Sequence, residues 1–281
     1  MYVFSLYQLN AYNQLCNVLC SAKLFTLLTY SWCKSNVCLL GKTALVTGGC
    51  SVIRGIGYET VLALVSRGCR VIVADIIDDP ELKERIFKET NSNNIEYKYV
   101  DLGSFKSVRE LAKDLLKTEE KLDILINNAG VGYQQVVVTD DDLDLTMQIN
   151  YFSGNSKLAV IIAADIFAQK LKQYNITCNS FHPGLVYTTI FRTSTRGAAG
   201  IRLIRLLLLE CVAMFFGKTP QGGAHTSIYL ACANEVNQVT GKFFSETKTT
   251  FKPLKAADRK FCEDIWKASE EIVKLEKHLK L

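Results

Sequence analysis

A chain of 281 residues with 48% hydrophobic and 22% charged side chains is long enough to bury a substantial core, as one large domain or two small ones. Its formal net charge of +5 is spread among acids with no basic patch interleaved with aromatics, so a nucleic-acid surface is not expected. The ten cysteines, at 16, 20, 33, 38, 50, 69, 178, 211, 232 and 262, follow no framework spacing and have no histidine cluster beside them, which argues for reduced thiols over disulfides or a metal site.

Residues 1–40 stand apart as a leader or membrane-anchoring segment. Residues 1–22 carry no charge, but Gln8, Asn10, Asn13, Gln14 and Asn17 interrupt the run, and Lys23 separates it from a second uncharged run over 24–33. That is weaker than the roughly 20 mainly apolar residues of a spanning helix. No basic region precedes it, as a secretory signal would require. From residue 41 a single domain is expected to run to 281. Residues 43–47 (TALVT) form a strand, and 56–67 (IGYETVLALVSR) a helix ended by Gly68. A second strand covers 70–75 (RVIVAD), and a polar helix with Pro80 in its first turn covers 80–88. Residues 95–100 alternate as a third strand closing at Asp101. Residues 104–118 form an amphipathic helix capped by Ser104, and 122–126 a fourth, buried strand running into 122–130 (LDILINNAG). Strands alternating with helices of this length predict an α/β fold: a doubly wound parallel sheet of Rossmann type with right-handed crossovers and helices on both faces.

Beyond Gly130, a helix starts at an acidic turn at 140 and runs, with Gly154 the main interruption, from 140–152 into 156–174. A strand at 177–181 leads to His182-Pro183-Gly184. Residues 201–216 (IRLIRLLLLECVAMFF) are strongly apolar, either as a core helix or as a lid over an apolar substrate or against a bilayer. Thr219-Pro220 opens a helix to 233, a short strand covers 242–244, and a charged amphipathic helix ends the chain.

Thr47-Gly48 followed by Gly55-Ile56-Gly57 forms a turn whose glycines let backbone amides reach a pyrophosphate at a helix amino terminus. Asp75 ends the second strand 18 residues after Gly57, where a carboxylate accepts bonds from ribose hydroxyls and repels a 2′-phosphate, favouring NAD over NADP. The bland alternative for Asp75 is an ordinary turn aspartate.

Taken together, TG…GIG, NNAG, a serine–lysine pair after an asparagine, and PGxVxT make the chain resemble the short-chain dehydrogenase/reductase family. The wording GIGYET, SRGCRVIVADI, TMQIN, NSKLA, TCNSFHPGLVYTTIFR and TSIYLA is similar to its retinol dehydrogenase branch, over roughly residues 40–275. The resemblance implies a nicotinamide cofactor and hydride transfer between an alcohol and a carbonyl. The branch implies retinoid or other lipid-like substrates and frequent membrane association, here through the amino-terminal segment and 201–216, at the endoplasmic reticulum or a similar surface facing a reducing compartment. Without an anchor the chain would be cytoplasmic. By residue, Gly48, Gly55, Ile56 and Gly57 match the family's pyrophosphate turn, Asp75 its ribose carboxylate, and Asp101-Leu102 the pair beside the adenine. Asn128, Ala129 and Gly130 match the motif at the sheet centre that lines the cofactor. Asn150 matches the asparagine that holds a proton-relay water, and Lys157 the lysine that binds the nicotinamide ribose and lowers a tyrosine's pKa. Pro183, Gly184, Val186 and Thr188 match the segment around the carboxamide.

The chain departs from this pattern in two places. Six residues, Gly49 to Arg54, stand where the family has three, so Val52-Ile53-Arg54 reads as an in-frame insertion that widens the turn and offers Arg54 to phosphate. Four residues before Lys157, where the family's tyrosine belongs, stands Ser153. Tyr151, six before it, points about 200° away from the direction a same-face neighbour would take. Only six residues separate Asn150 from Lys157, where the family has the rest of a helix, a strand and a catalytic serine. The sheet is therefore expected to be one strand short, with one hybrid helix over 140–174 as crossover, Asn150 and Lys157 on one helix face, and the 177–181 strand in the vacated slot. Three readings follow: an oxidoreductase using another acid, a dinucleotide-binding or interaction protein without catalysis, and a chain lacking a segment that an active parent enzyme carries. A catalytically impaired chain is expected, with Asn150 and Lys157 as what remains of the catalytic set.

Overall fold

The computed structural model describes residues 33–50, 55–132, 137–150, 156–188 and 217–274. Four parallel strands, β1 (Thr43–Thr47), β2 (Arg70–Asp75), β3 (Ile95–Tyr99) and β4 (Ile124–Ile126), form a sheet in the order β3-β2-β1-β4. They alternate with α1 (Ile56–Val65), α2 (Leu82–Thr90) and α3 (Phe105–Thr118). Both faces of β1 and β2 are covered, which is why these two strands read as nearly unbroken apolar runs. Val46, Val71 and Val73 pack on one side with Val61 and Leu64 of α1 and Ile86 of α2. Leu45, Ile72 and Ala74 pack on the other with Val108, Leu111 and Leu115 of α3. The doubly wound expectation holds for this half. Local signals placed its ends: Gly68 stops the first helix with φ 83°, and the Ser104 hydroxyl caps α3 by accepting the Ser107 N–H at 3.4 Å.

After β4 come α4 (Leu145–Asn150), α5 (Ser156–Lys170), β5 (Ser180–His182), α6 (Pro220–Cys232), β6 (Phe243–Ser245), β7 (Lys248–Thr250) and α7 (Arg259–Val273). Here the expectation for the vacated slot fails. β5 pairs in parallel with β6, and β6 pairs antiparallel with β7, in a second three-stranded sheet, so β5 does not hydrogen-bond to β4. The cause lies in α5, which stays with the second sheet. Its Phe167 ring meets Trp266 of α7 edge-on at 5.1 Å, and its Asp165 carboxylate accepts from the Lys252 ammonium at 2.6 and 2.7 Å. β4 is left at the edge of the first sheet, with Leu122 41% and Leu125 56% exposed although both were expected in a buried strand.

The expected long helix also starts later. Residues 137–144 are held instead by an antiparallel bridge between Val138 and Asp144, and 151–155 lie outside the described residues. The two sheets are joined through helices. α6, capped by the Thr219 hydroxyl, packs on α1, where Ala224, Ile228 and Cys232 share the core of Val61 and Leu64. At the same seam the Thr60 and Ser227 hydroxyls hydrogen-bond at 2.9 Å in a buried position. Residues 33–39 run along this seam, with the Cys33 N–H donating to His225 Nδ1 at 2.8 Å and Leu39 buried. No helix among the described residues is long and apolar enough to cross a membrane. The two segments expected to touch one, residues 1–32 of the leader and 201–216, lie outside them.

Candidate functional site

The tips of β1 and β4 are laced together. The Thr47 hydroxyl accepts the N–H groups of Asn128 and Ala129, both at 3.1 Å. The Asn128 amide donates back to the carbonyls of Thr47 at 2.9 Å and Gly48 at 3.1 Å. Gly48 turns away from the strand with φ 71°, and a Cβ there would come within 2.7 Å of the Ala129 Cα. A Cβ on Gly57 would meet the Gly48 carbonyl oxygen at 2.2 Å and the Asn128 amide at 2.4 Å. The first turn of α1 thus sits directly on this lacing, where only hydrogen fits. Gly55, its N-cap, is extended and supplies no side-chain cap, so the first-turn amides face outward in the manner of an anion site. The inserted residues 52–54 lie outside the described residues.

Asp75 closes β2 beside this turn. Its carboxylate accepts the Cys50 N–H at 2.9 Å and the Ile77 N–H at 3.1 Å, so the ordinary turn role is realised. A carboxylate offers about four lone-pair sites, which leaves acceptor capacity for a ribose diol. Asp101 accepts the Gly103 N–H at 2.8 Å, and Leu102 packs into the core beneath α3. Asn150 bonds twice to the Val131 backbone, its Oδ1 accepting at 2.7 Å and its Nδ2 donating at 2.9 Å, and so pins the chain leaving Gly130.

Lys157 opens α5, an exposed residue whose ammonium nonetheless has enough protein around it for burial to hold its pKa below the usual lysine range. At the tip of β5, burial, and then the positive charges of Lys157 and Lys218, hold His182 below its ordinary value. Gly184 follows with φ 85°, its N–H donating to His182 Nδ1 at 2.8 Å. Val186 is buried, and a Cβ on Gly223 would meet it at 2.7 Å and Ile56 at 3.2 Å. The segment carrying Pro183, Gly184, Val186 and Thr188 therefore approaches the glycine turn across the start of α6. The structure brings together the expected residues of β1, β2, β4 and the 183–188 segment. Tyr151 and Ser153 lie outside the described residues.

Two residues of this neighbourhood escaped the sequence reading. Lys218 is almost fully buried just ahead of α6 and ion-paired to Glu246 in the β6–β7 turn. Its only local signal is its oddity, since a cation at a helix amino terminus opposes the macrodipole.

The short chain dehydrogenase family model matches residues 42–154. Retinol dehydrogenase 14 of Mus musculus is 29% identical over 295 residues, spanning 83% of this chain and 86% of its own. Retinol dehydrogenase 13 of Homo sapiens is 27% identical over 298, spanning 87% and 88%. Among solved structures, the 3-ketoacyl-(acyl-carrier-protein) reductase of Brucella melitensis in complex with NADH is similar at TM-score 0.53 and 21% identity, over 73% of this chain and 96% of its own. A blue fluorescent protein from a metagenomic library, in complex with NADPH, gives TM-score 0.54 at 22% identity, over the same shares of 73% and 96%. The laced glycine turn, the parallel sheet and these likenesses agree on a short-chain dehydrogenase fold: residues 42–154 match that family's model, and retinol dehydrogenases are similar to this chain over most of its length.

Proposed function

We propose that this chain binds a nicotinamide dinucleotide along the tips of β1, β2 and β4, NAD in preference to NADP, and that interconversion of a retinoid or similar apolar alcohol with its carbonyl is impaired in it. The observation that carries the binding is the fit of Gly57 onto Gly48 and Asn128, which presents the uncapped start of α1 to a pyrophosphate. Asp75 supports NAD by charge, since its carboxylate would face a 2′-phosphate. When bound, the nicotinamide supplies hydride chemistry. This chain's own part is to orient the ring against 183–188 and to move the alcohol proton.

The second task lacks its group. Ser153 stands four residues before Lys157, where the family's phenol belongs, and a serine hydroxyl is far too weak an acid to replace a lysine-tuned tyrosine. Length supports the reading: 83% of 281 residues is about 233, which leaves about 60 of the 295 positions aligned with mouse retinol dehydrogenase 14 facing no residue here. The split between β4 and β5 supports it too, because a missing strand there leaves two sheets. An apolar substrate and the apolar segments at 1–40 and 201–216 favour a membrane surface inside the cell. The test is a titration of the full chain with NADH by fluorescence, followed by an assay with NAD and all-trans-retinol. Binding without turnover above background is expected. Turnover lost in Lys157→Ala would overturn the impairment, and no NADH binding would overturn the whole reading.

A further inference from the structure

We infer that Lys218 is a positioning residue that staples the 183–188 segment to the β6–β7 hairpin and so sets the wall on which the nicotinamide end of the dinucleotide rests. The inference rests on the proposed reading of 183–188 as cofactor-lining.

Lys218 is 7% exposed, and its position just ahead of α6 sets its charge against the helix dipole. A buried ammonium in such a place is retained only with compensating contacts, and Lys218 is tied both to the 183–188 segment and to the β6–β7 turn. Along the backbone, the Lys218 N–H donates to the Leu185 carbonyl at 2.8 Å, the Tyr187 N–H donates to the Lys218 carbonyl at 2.9 Å, and Val186 and Lys218 form a parallel bridge. The side chain then doubles back beneath Gly184. A Cβ on that glycine would lie 3.0 Å from Lys218 Cε and 3.1 Å from Nζ. The space a side chain at 184 would need is the space the lysine stem occupies.

The ammonium ends on Glu246. Glu246 and Thr247 form the tip between β6 and β7 with φ of 53° and 61°, a conformation that hairpin turns usually give to Asn-Gly. A glutamate and a β-branched threonine hold it only when their surroundings fix them. The Thr247 N–H donating to the Thr226 hydroxyl at 3.3 Å is one such contact, and the Lys218 pair is the other. A turn fixed on one side to α6 thereby fixes, through Lys218, the segment on the other.

The experiment compares the full chain with Lys218→Met, Lys218→Arg and Glu246→Gln by two readouts. In ligand-free protein, amide hydrogen exchange over 183–188 should quicken at least tenfold in Lys218→Met and Glu246→Gln, while amides of β1–β3 stay unchanged. Titration with NADH should show affinity falling about tenfold in the same two variants, the scale of one lost charge-assisted bond, with most of it recovered in Lys218→Arg. Unchanged exchange at 183–188 in the folded variants overturns the staple, as does faster exchange everywhere, which would mark a merely structural role. Faster local exchange with unchanged NADH affinity overturns the positioning role. If Lys218→Met does not fold, Glu246→Gln carries the comparison alone. A parent chain that binds no NADH defeats the dinucleotide reading and with it the positioning role, and the exchange data still decide whether Lys218 holds the segment.

Discussion

At residue scale the site depends on hydrogen-sized gaps. Gly57→Ala would force a methyl to 2.2 Å from the Gly48 oxygen, and α1 would have to lift off the turn. A loss of about 1–3 kcal/mol is expected from such overpacking, together with loss of measurable NADH binding. Gly41→Ala is the matched control. Its φ of 76° is strained for alanine, yet nothing lies within 4 Å, so a cost of about 1–2 kcal/mol with unchanged NADH affinity is expected. Thermal melts and NADH titration of both variants separate the effects; equal affinities would remove the turn from the site. Gly48 and Gly57 were legible in the sequence because a glycine requirement is local. Lys218 and Glu246 were not, because they stand 28 residues apart and no rule of helix or strand period joins them. Asp75 was legible in place but only partly in role, since its two N–H partners emerge from the folded turn.

At the scale of elements, β1, β2, β3 and α3 match their expected spans within a residue, because each carries its own pattern of burial and its own stop. β4 shows where that logic ends. An apolar run in a parallel sheet reads as covered on both faces, but coverage is supplied by neighbours, and a neighbour is not written in the run. Ile126 faces α1 and is 7% exposed, whereas Leu125 faces the other way and is 56% exposed. Ile126→Ala should therefore cost about 2–4 kcal/mol in urea denaturation, and Leu125→Thr within about 0.5 kcal/mol. Similar losses in the two variants would mean that the outer face of β4 is covered in solution. β7 was missed for a related reason: Lys248–Thr250 is exposed throughout, with no alternation to mark a strand.

On the scale of the whole molecule, the family resemblance was legible from scattered motifs, while the arrangement of the sheet was not. The motifs survive on either side of 151–155, each tied to its own strand tip, so they give the same resemblance wherever β5 stands. The position of β5 depends on what α5 packs against, and Asp165, Phe167, Lys252 and Trp266 decide that only once the chain has closed on itself. A hydrogen-bonded ladder spreads the loss of one strand to the next, but among the described residues no ladder connects the two sheets. What unites them is the seam of α1 and α6 with its Thr60–Ser227 hydroxyl pair. The consequence is thermodynamic. Melting should lack full cooperativity, with the calorimetric enthalpy exceeding the van't Hoff enthalpy, and Ser227→Val, which leaves the Thr60 hydroxyl without that partner, should draw the β5–β6–β7 half to a lower melting temperature than β1–β4. A single sharp transition in scanning calorimetry of both proteins would show the seam to be as strong a coupling as the missing ladder.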